Sequence, residues 1–137
     1  MIITILAATV CAGFAVAVYV RLAPTQIDRW HRDPMAQSDR TYARGVRRVV
    51  PAKGDAFARL DTIIRATPRT DGVTGSVASG MITYVTRSRV WGFPDFTTVK
   101  QRDGRLEIHG RARFGQSDMG VNKARVDGWL AVLRGDG

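Results

Sequence analysis

The chain has 137 residues, 45% of them hydrophobic and 24% charged, which excludes a disordered or low-complexity protein. One Cys and two His exclude a disulfide framework, a Cys-based zinc or iron–sulfur site and a three-His site, so neither metal nor cofactor is expected. The formal net charge of +9 is uneven: residues 21–69 hold eleven Lys+Arg against five Asp, residues 70–137 ten against seven acidic groups. Nucleic acid is not an expected partner, because the arginines are dispersed and aromatics make up only 8%.

Ile2 to Val20 is 19 residues without a formal charge, about 28 Å as a helix, enough to cross a bilayer. Ala15-Val16-Ala17 has the small-x-small pattern of a cleavage site, but no basic stretch precedes the apolar run and Tyr19, Arg21 and Trp30 follow as interfacial anchors. The segment reads as a retained single-span anchor over 1–21, in contact with membrane lipid. Cys11, Ala12, Gly13 and Ala17 give it small-residue faces suited to close packing. Arg21, Arg29 and Arg32 follow the segment and none precedes it, which by the positive-inside rule places the remainder in the cytoplasm.

Residues 22–52 read as a polar basic connector, with Pro24 and Pro34 blocking a continuous helix and a short strand at Val46–Val50. The remaining segment, 53–137, reads as one α+β domain. Asp55 caps a helix with Phe57, Leu60, Ile63 and Ile64 on one face, and Pro68 ends it. Four strands follow. Val73–Ala78 and Met81–Arg89 are joined by Ser79-Gly80, and Asp95–Gln101 and Arg105–Phe114 through Asp103-Gly104.

The last strand alternates: Leu106, Ile108, Gly110, Ala112 and Phe114 face one way, Arg105, Glu107, His109, Arg111 and Arg113 the other. That pattern predicts one buried and one wet face. A closing helix from about Ser117 carries Val126, Trp129, Leu130 and Leu133 on one side. The expected fold is an N-terminal transmembrane helix followed by a small antiparallel sheet covered on one face by two helices.

Two similar clusters stand out. Arg87-Ser88-Arg89 precedes Gly92 and Asp95, and Arg111-Ala112-Arg113 precedes Gly115 and Asp118. Arg-x-Arg on a strand sets two guanidinium groups on one face, about 7 Å apart. Four such groups need anions between them: either Asp95 and Asp118 in a salt-bridge network, or a bound anionic ligand or partner. Trp91 and Phe93 flank Gly92 in a turn that is either a recognition loop or a core corner with Gly92 at positive φ. Ser88, His109 and Asp95 are the residue types of a hydrolytic triad, but no Gly-x-Ser-x-Gly elbow surrounds the serine, and no catalytic residue is assigned.

Two runs carry a resemblance. Ile82-Thr83-Tyr84-Val85-Thr86-Arg87-Ser88-Arg89 with Gly92-Phe93-Pro94-Asp95, and Arg111-Ala112-Arg113-Phe114-Gly115-Gln116-Ser117-Asp118-Met119-Gly120-Val121-Asn122 with Arg125-Val126, resemble in order and spacing the signature of the domain-of-unknown-function 1499 family, over about residues 55–134. Ala112 stands where a Ser is expected, and the N-terminal cysteine pair of some members is absent. The resemblance implies no activity, cofactor or catalytic residue. Many members look like lipoproteins or anchored domains outside the cytoplasm, which implies a periplasmic domain on the bacterial inner membrane, against the positive-inside count. The function expected from these readings is a non-catalytic, membrane-anchored accessory subunit or stabilising factor of a larger membrane complex. The alternative is a module that binds an anionic small molecule or lipid headgroup through the Arg cluster.

Overall fold

The computed structural model describes residues 1–135. Helix α1 (Ile2–Leu22) leads into a short α2 (Ile27–Trp30), then strands β1 (Arg40–Tyr42) and β2 (Gly45–Pro51), helix α3 (Ala56–Arg65), strands β3 (Thr70–Ser76), β4 (Met81–Arg87), β5 (Pro94–Arg102) and β6 (Arg105–Ala112), and helix α4 (Val121–Arg134). The six strands form one antiparallel sheet in the order β1-β2-β6-β5-β4-β3. The fold is α+β, as the sequence pattern predicts. By length and composition α1 is the one helix among the described residues fit to cross a membrane.

The alternation of β6 sets the core. Leu106 and Ile108 lie beside Val99 of β5, Ile82 of β4 and Val46 of β2, and this face takes Phe57, Leu60 and Ile64 of α3 and Val126, Trp129, Leu130 and Leu133 of α4. Each such side chain removed from water contributes about 1.5–3 kcal/mol before entropy. The two polar ends of the aromatic residues are satisfied inside it: Trp129 Nε1 donates to Thr67 Oγ1 at 2.8 Å and Tyr84 OH to Asp61 Oδ1 at 2.7 Å. Gly110 lets α4 close on the sheet, since an added Cβ would stand 3.2 Å from Asn122 Oδ1 and Val126 Cγ2. Asp55 occupies the N-cap of α3 without a side-chain cap hydrogen bond, and α4 begins at Val121 rather than near Ser117.

The second sheet face is not wet. Residues 23–39 cross it as a strap, which corrects the expectation drawn from the polar half of β6. Trp30 stacks on Phe96, and its carbonyl accepts from Thr98 Oγ1 at 3.0 Å and from Arg111. His31 Nδ1 pairs with Thr83 Oγ1 at 2.9 Å, Asp33 bridges Lys100 and Arg102, and the Ala36 N–H donates to Glu107 Oε2 at 3.0 Å. Glu107 is thereby only 1% exposed, with Arg105 on its other oxygen. The alternation of β6 is real, but its polar residues bind a polar strap instead of water.

Candidate functional site

The four arginines of the two Arg-x-Arg motifs do not converge. Strand β5 separates β4 from β6, β4 ends at Arg87 and β6 at Ala112, so Arg89 and Arg113 lie beyond the strands. Arg87 Nη1 donates to the carbonyls of Gly92 at 3.1 Å and Val20 at 3.4 Å. Arg89 is exposed in the following turn and makes no hydrogen bond or ion pair among the described residues. Arg111 turns under the strap, donating to Thr98 Oγ1 at 2.9 Å with Trp30 above it, and burial pulls its guanidinium down to about 10, still charged at neutral pH. Arg113 lies over the Phe114 ring. Neither expected carboxylate pairs with them.

Asp95 instead meets Arg125 of α4 at 3.1 Å, a pair the sequence reading missed. The register puts Asp95 beside Thr86 and Ala112 on the helix-covered face. Burial pushes its carboxyl up and the Arg125 guanidinium opposes that shift. Asp118 is occupied locally: its carboxylate accepts from the N–H of Gly120 and from the N–H and Nδ2 of Asn122, which fixes the entry to α4.

These residues line a cavity of about 580 Å³ at the end of the sheet where β4 and β6 stop. Phe93, Ala112, Phe114, Met119 and Val121 make much of its wall, and Arg69, Arg87 and Arg125 supply charge. With Arg125 held by Asp95, Arg69 and Arg87 remain without a carboxylate partner among the described residues. Arg69 is set there by an unusual backbone: its φ is +58, and its Nε donates to the Arg87 carbonyl at 3.1 Å. Met119, at φ +52, is a second non-glycine residue in the left-handed region on the same wall. Such conformations cost about 1–3 kcal/mol each and cluster at functional sites. No local pattern betrays Arg69, which sits at the bare junction between α3 and β3.

The cavity lies against the end of α1. Phe114 contacts Phe93 and Tyr19, with ring centroids 6.0 and 6.5 Å apart. Val20 is 3% exposed, and Arg21 Nη2 donates to the Val90 carbonyl at 2.7 Å. The Trp91–Phe93 turn is therefore neither a core corner nor a free loop. It packs on the helix, with Gly92 at φ +74 and Arg21 stacked where a side chain would stand. A 580 Å³ cavity whose apolar walls carry three arginines, the occupied carboxylates of Asp95 and Asp118 and a few hydroxyls is the size and character of a small-molecule site.

Ser88, His109 and Asp95 are not assembled. Ser88 Oγ accepts from the Phe93 N–H, His109 Nε2 meets Tyr42 OH on the strap face, and Asp95 faces α4. No three His, Cys, Asp or Glu among the described residues are arranged to hold a metal ion.

No curated protein matches the chain. A family model described as "Protein of unknown function (DUF1499)" matches residues 11–133, which extends the resemblance from the α+β domain through the strap and into the second half of α1. Matched over most of its length, the chain belongs to the DUF1499 family.

Proposed function

We propose that the protein is a membrane-anchored, non-catalytic binding module whose cavity takes an anionic amphipathic molecule, a phosphate or similar headgroup carrying an apolar chain. The observation that carries this reading is the composition of this cavity: aromatic and aliphatic walls, with Arg69 and Arg87 lacking carboxylate partners among the described residues. The apolar part of the ligand would lie against Phe93, Phe114 and Val121, and the headgroup would accept bidentate hydrogen bonds from Arg69. The site thus differs from the four-arginine cluster of the sequence reading, sharing Arg87, Asp95 and Asp118 with it. Docking of Val20 and Arg21 on the domain supports α1 as a retained anchor, since removing it would strip the Val90 carbonyl of its donor and Arg87 of one of its two acceptors.

The thermal stability of the full chain in non-ionic detergent tests the reading. Dodecyl phosphate should raise Tm, dodecylphosphocholine should do so less, and Arg69→Glu should abolish the difference. Equal shifts with both, or a full shift with inorganic phosphate alone, would contradict it. The reading as a subunit of a larger membrane complex rests on the anchor and the Arg-rich surface, and would require a stoichiometric protein partner.

A further inference from the structure

Between Arg87 and Pro94 the chain makes a compact turn that carries Val90, Trp91 and Phe93, of which Val90 is 71% and Trp91 46% exposed. Val90 and Trp91 thus form a small exposed apolar pair. Its position relative to α1 gives it another solvent. Arg21 holds the Val90 carbonyl, and its Nε stands 2.9 Å from where a Gly92 Cβ would be, so the turn's backbone lies beside the Arg21 side chain. The Trp91 indole then runs back along the helix: its Cη2 lies 3.9 Å from the Cβ position of Gly13, eight residues or about 12 Å nearer the N-terminus. Gly13 and Ala17, the small face of the helix, provide the groove in which it lies, and both are half-buried.

We infer that this turn enters the bilayer beside α1, with the Trp91 indole among lipid acyl chains and its backbone at the headgroup boundary. The inference rests on α1 crossing the membrane. A helix of 21 residues is about 31 Å long and matches a hydrocarbon core of about 30 Å. A group touching Gly13 then lies inside that layer. The occupant is lipid because Trp91 lies along α1 at Gly13, a helix whose Phe14, Tyr19 and Leu22 are themselves exposed.

Two further observations fix how deep the turn lies. Backbone polar groups near hydrocarbon must be satisfied internally. Here the carbonyls of Ser88, Val90, Gly92 and Phe93 accept hydrogen bonds, from Gly92 N, Arg21, Arg87 and Ser88 N. The Trp91 N–H and carbonyl take no partner among the described residues, which holds the backbone at the hydrated headgroup boundary and lets only the indole go deeper. The Phe93 N–H is taken by Ser88 Oγ. The cations are placed for the boundary: Arg89 is exposed in the turn and its long side chain reaches headgroup phosphate by snorkelling.

The three tryptophans make the test direct. Trp30 and Trp129 are each 6% exposed inside the domain, and only Trp91 is placed to meet lipid. The full chain is reconstituted in phosphatidylcholine vesicles with plain or brominated acyl chains, and carbonate washing with flotation establishes that α1 is in the bilayer. Brominated lipid should quench part of the wild-type emission and leave Trp91→Phe emission unchanged. Equal emission in plain and brominated vesicles for washed, floating wild type would overturn the inference while leaving the anchor intact. Release of the protein by carbonate would overturn both.

Discussion

Trp30 lies flat on Phe96, with ring centroids 4.3 Å apart and planes 17° from parallel, so that a residue eight positions beyond the apolar helix closes the far face of the sheet. Arg29 and Arg111 stand over the same indole at 5.3 and 5.4 Å. The strap is therefore part of the folded domain and not a tether. Trp30→Ala should cost about 3–5 kcal/mol, as large aromatic truncations in cores do. Limited proteolysis should then cut within 23–39 before the sheet is lost. Unchanged stability in denaturant would mean that the strap contributes nothing to the fold.

Glu107 tests the same interface through charge. Its carboxylate holds Arg105 on one oxygen and the Ala36 N–H on the other. Glu107→Ala leaves the buried Ala36 N–H without its acceptor, which costs about 1–3 kcal/mol, while Arg105, 39% exposed, can turn to water. Denaturant titration of the two forms measures the difference. A loss below about 1 kcal/mol would show the pair to behave as a surface salt bridge.

His109 makes stability depend on pH. Burial, with Arg111 and Arg47 nearby, pulls its imidazole down to about 3. The folded protein thus keeps it neutral while the unfolded chain takes up a proton below pH about 6.5. Stability is then lost as pH falls from about 6.5 towards 3, by at most about 1.4 kcal/mol per pH unit. Between pH 6.5 and 5 the carboxylates contribute little, and His109→Gln should flatten the curve there. A wild-type curve that is already flat would contradict the burial argument.

Arg69 separates binding from folding. Glycine adopts its φ of +58 without strain, so Arg69→Gly should leave stability unchanged or raised by up to about 1 kcal/mol. The same change removes a guanidinium from the cavity and should abolish the Tm shift given by dodecyl phosphate. Loss of stability without loss of that shift would make the residue structural.

Local chemistry was legible in the sequence and long-range polar contact was not. The alternation of β6, the apolar faces of α3 and α4 and the Asp103-Gly104 hairpin all follow from spacing, and Asp103 and Gly104 do take the positive φ that such a turn needs. The strap escaped because its contacts are single polar groups meeting residues 52 to 81 positions away, without periodicity. Extending β4 to Arg89 failed because the Ser88–Phe93 turn begins one residue after Arg87. That error set four arginines on one face where only Arg87 reaches the cavity. Arg125 was within the recognised run, but its partner Asp95 lies 30 residues earlier, and only the closure of α4 on the sheet brings them together.

The measurement that bears most directly on the cavity is native mass spectrometry of the full chain taken from its own membranes in mild detergent. The account predicts one anionic, acyl-bearing molecule per chain, absent from Val121→Trp, whose indole would fill the site. A wild-type chain that carries nothing, or that carries the same molecule when the cavity is filled, would contradict it.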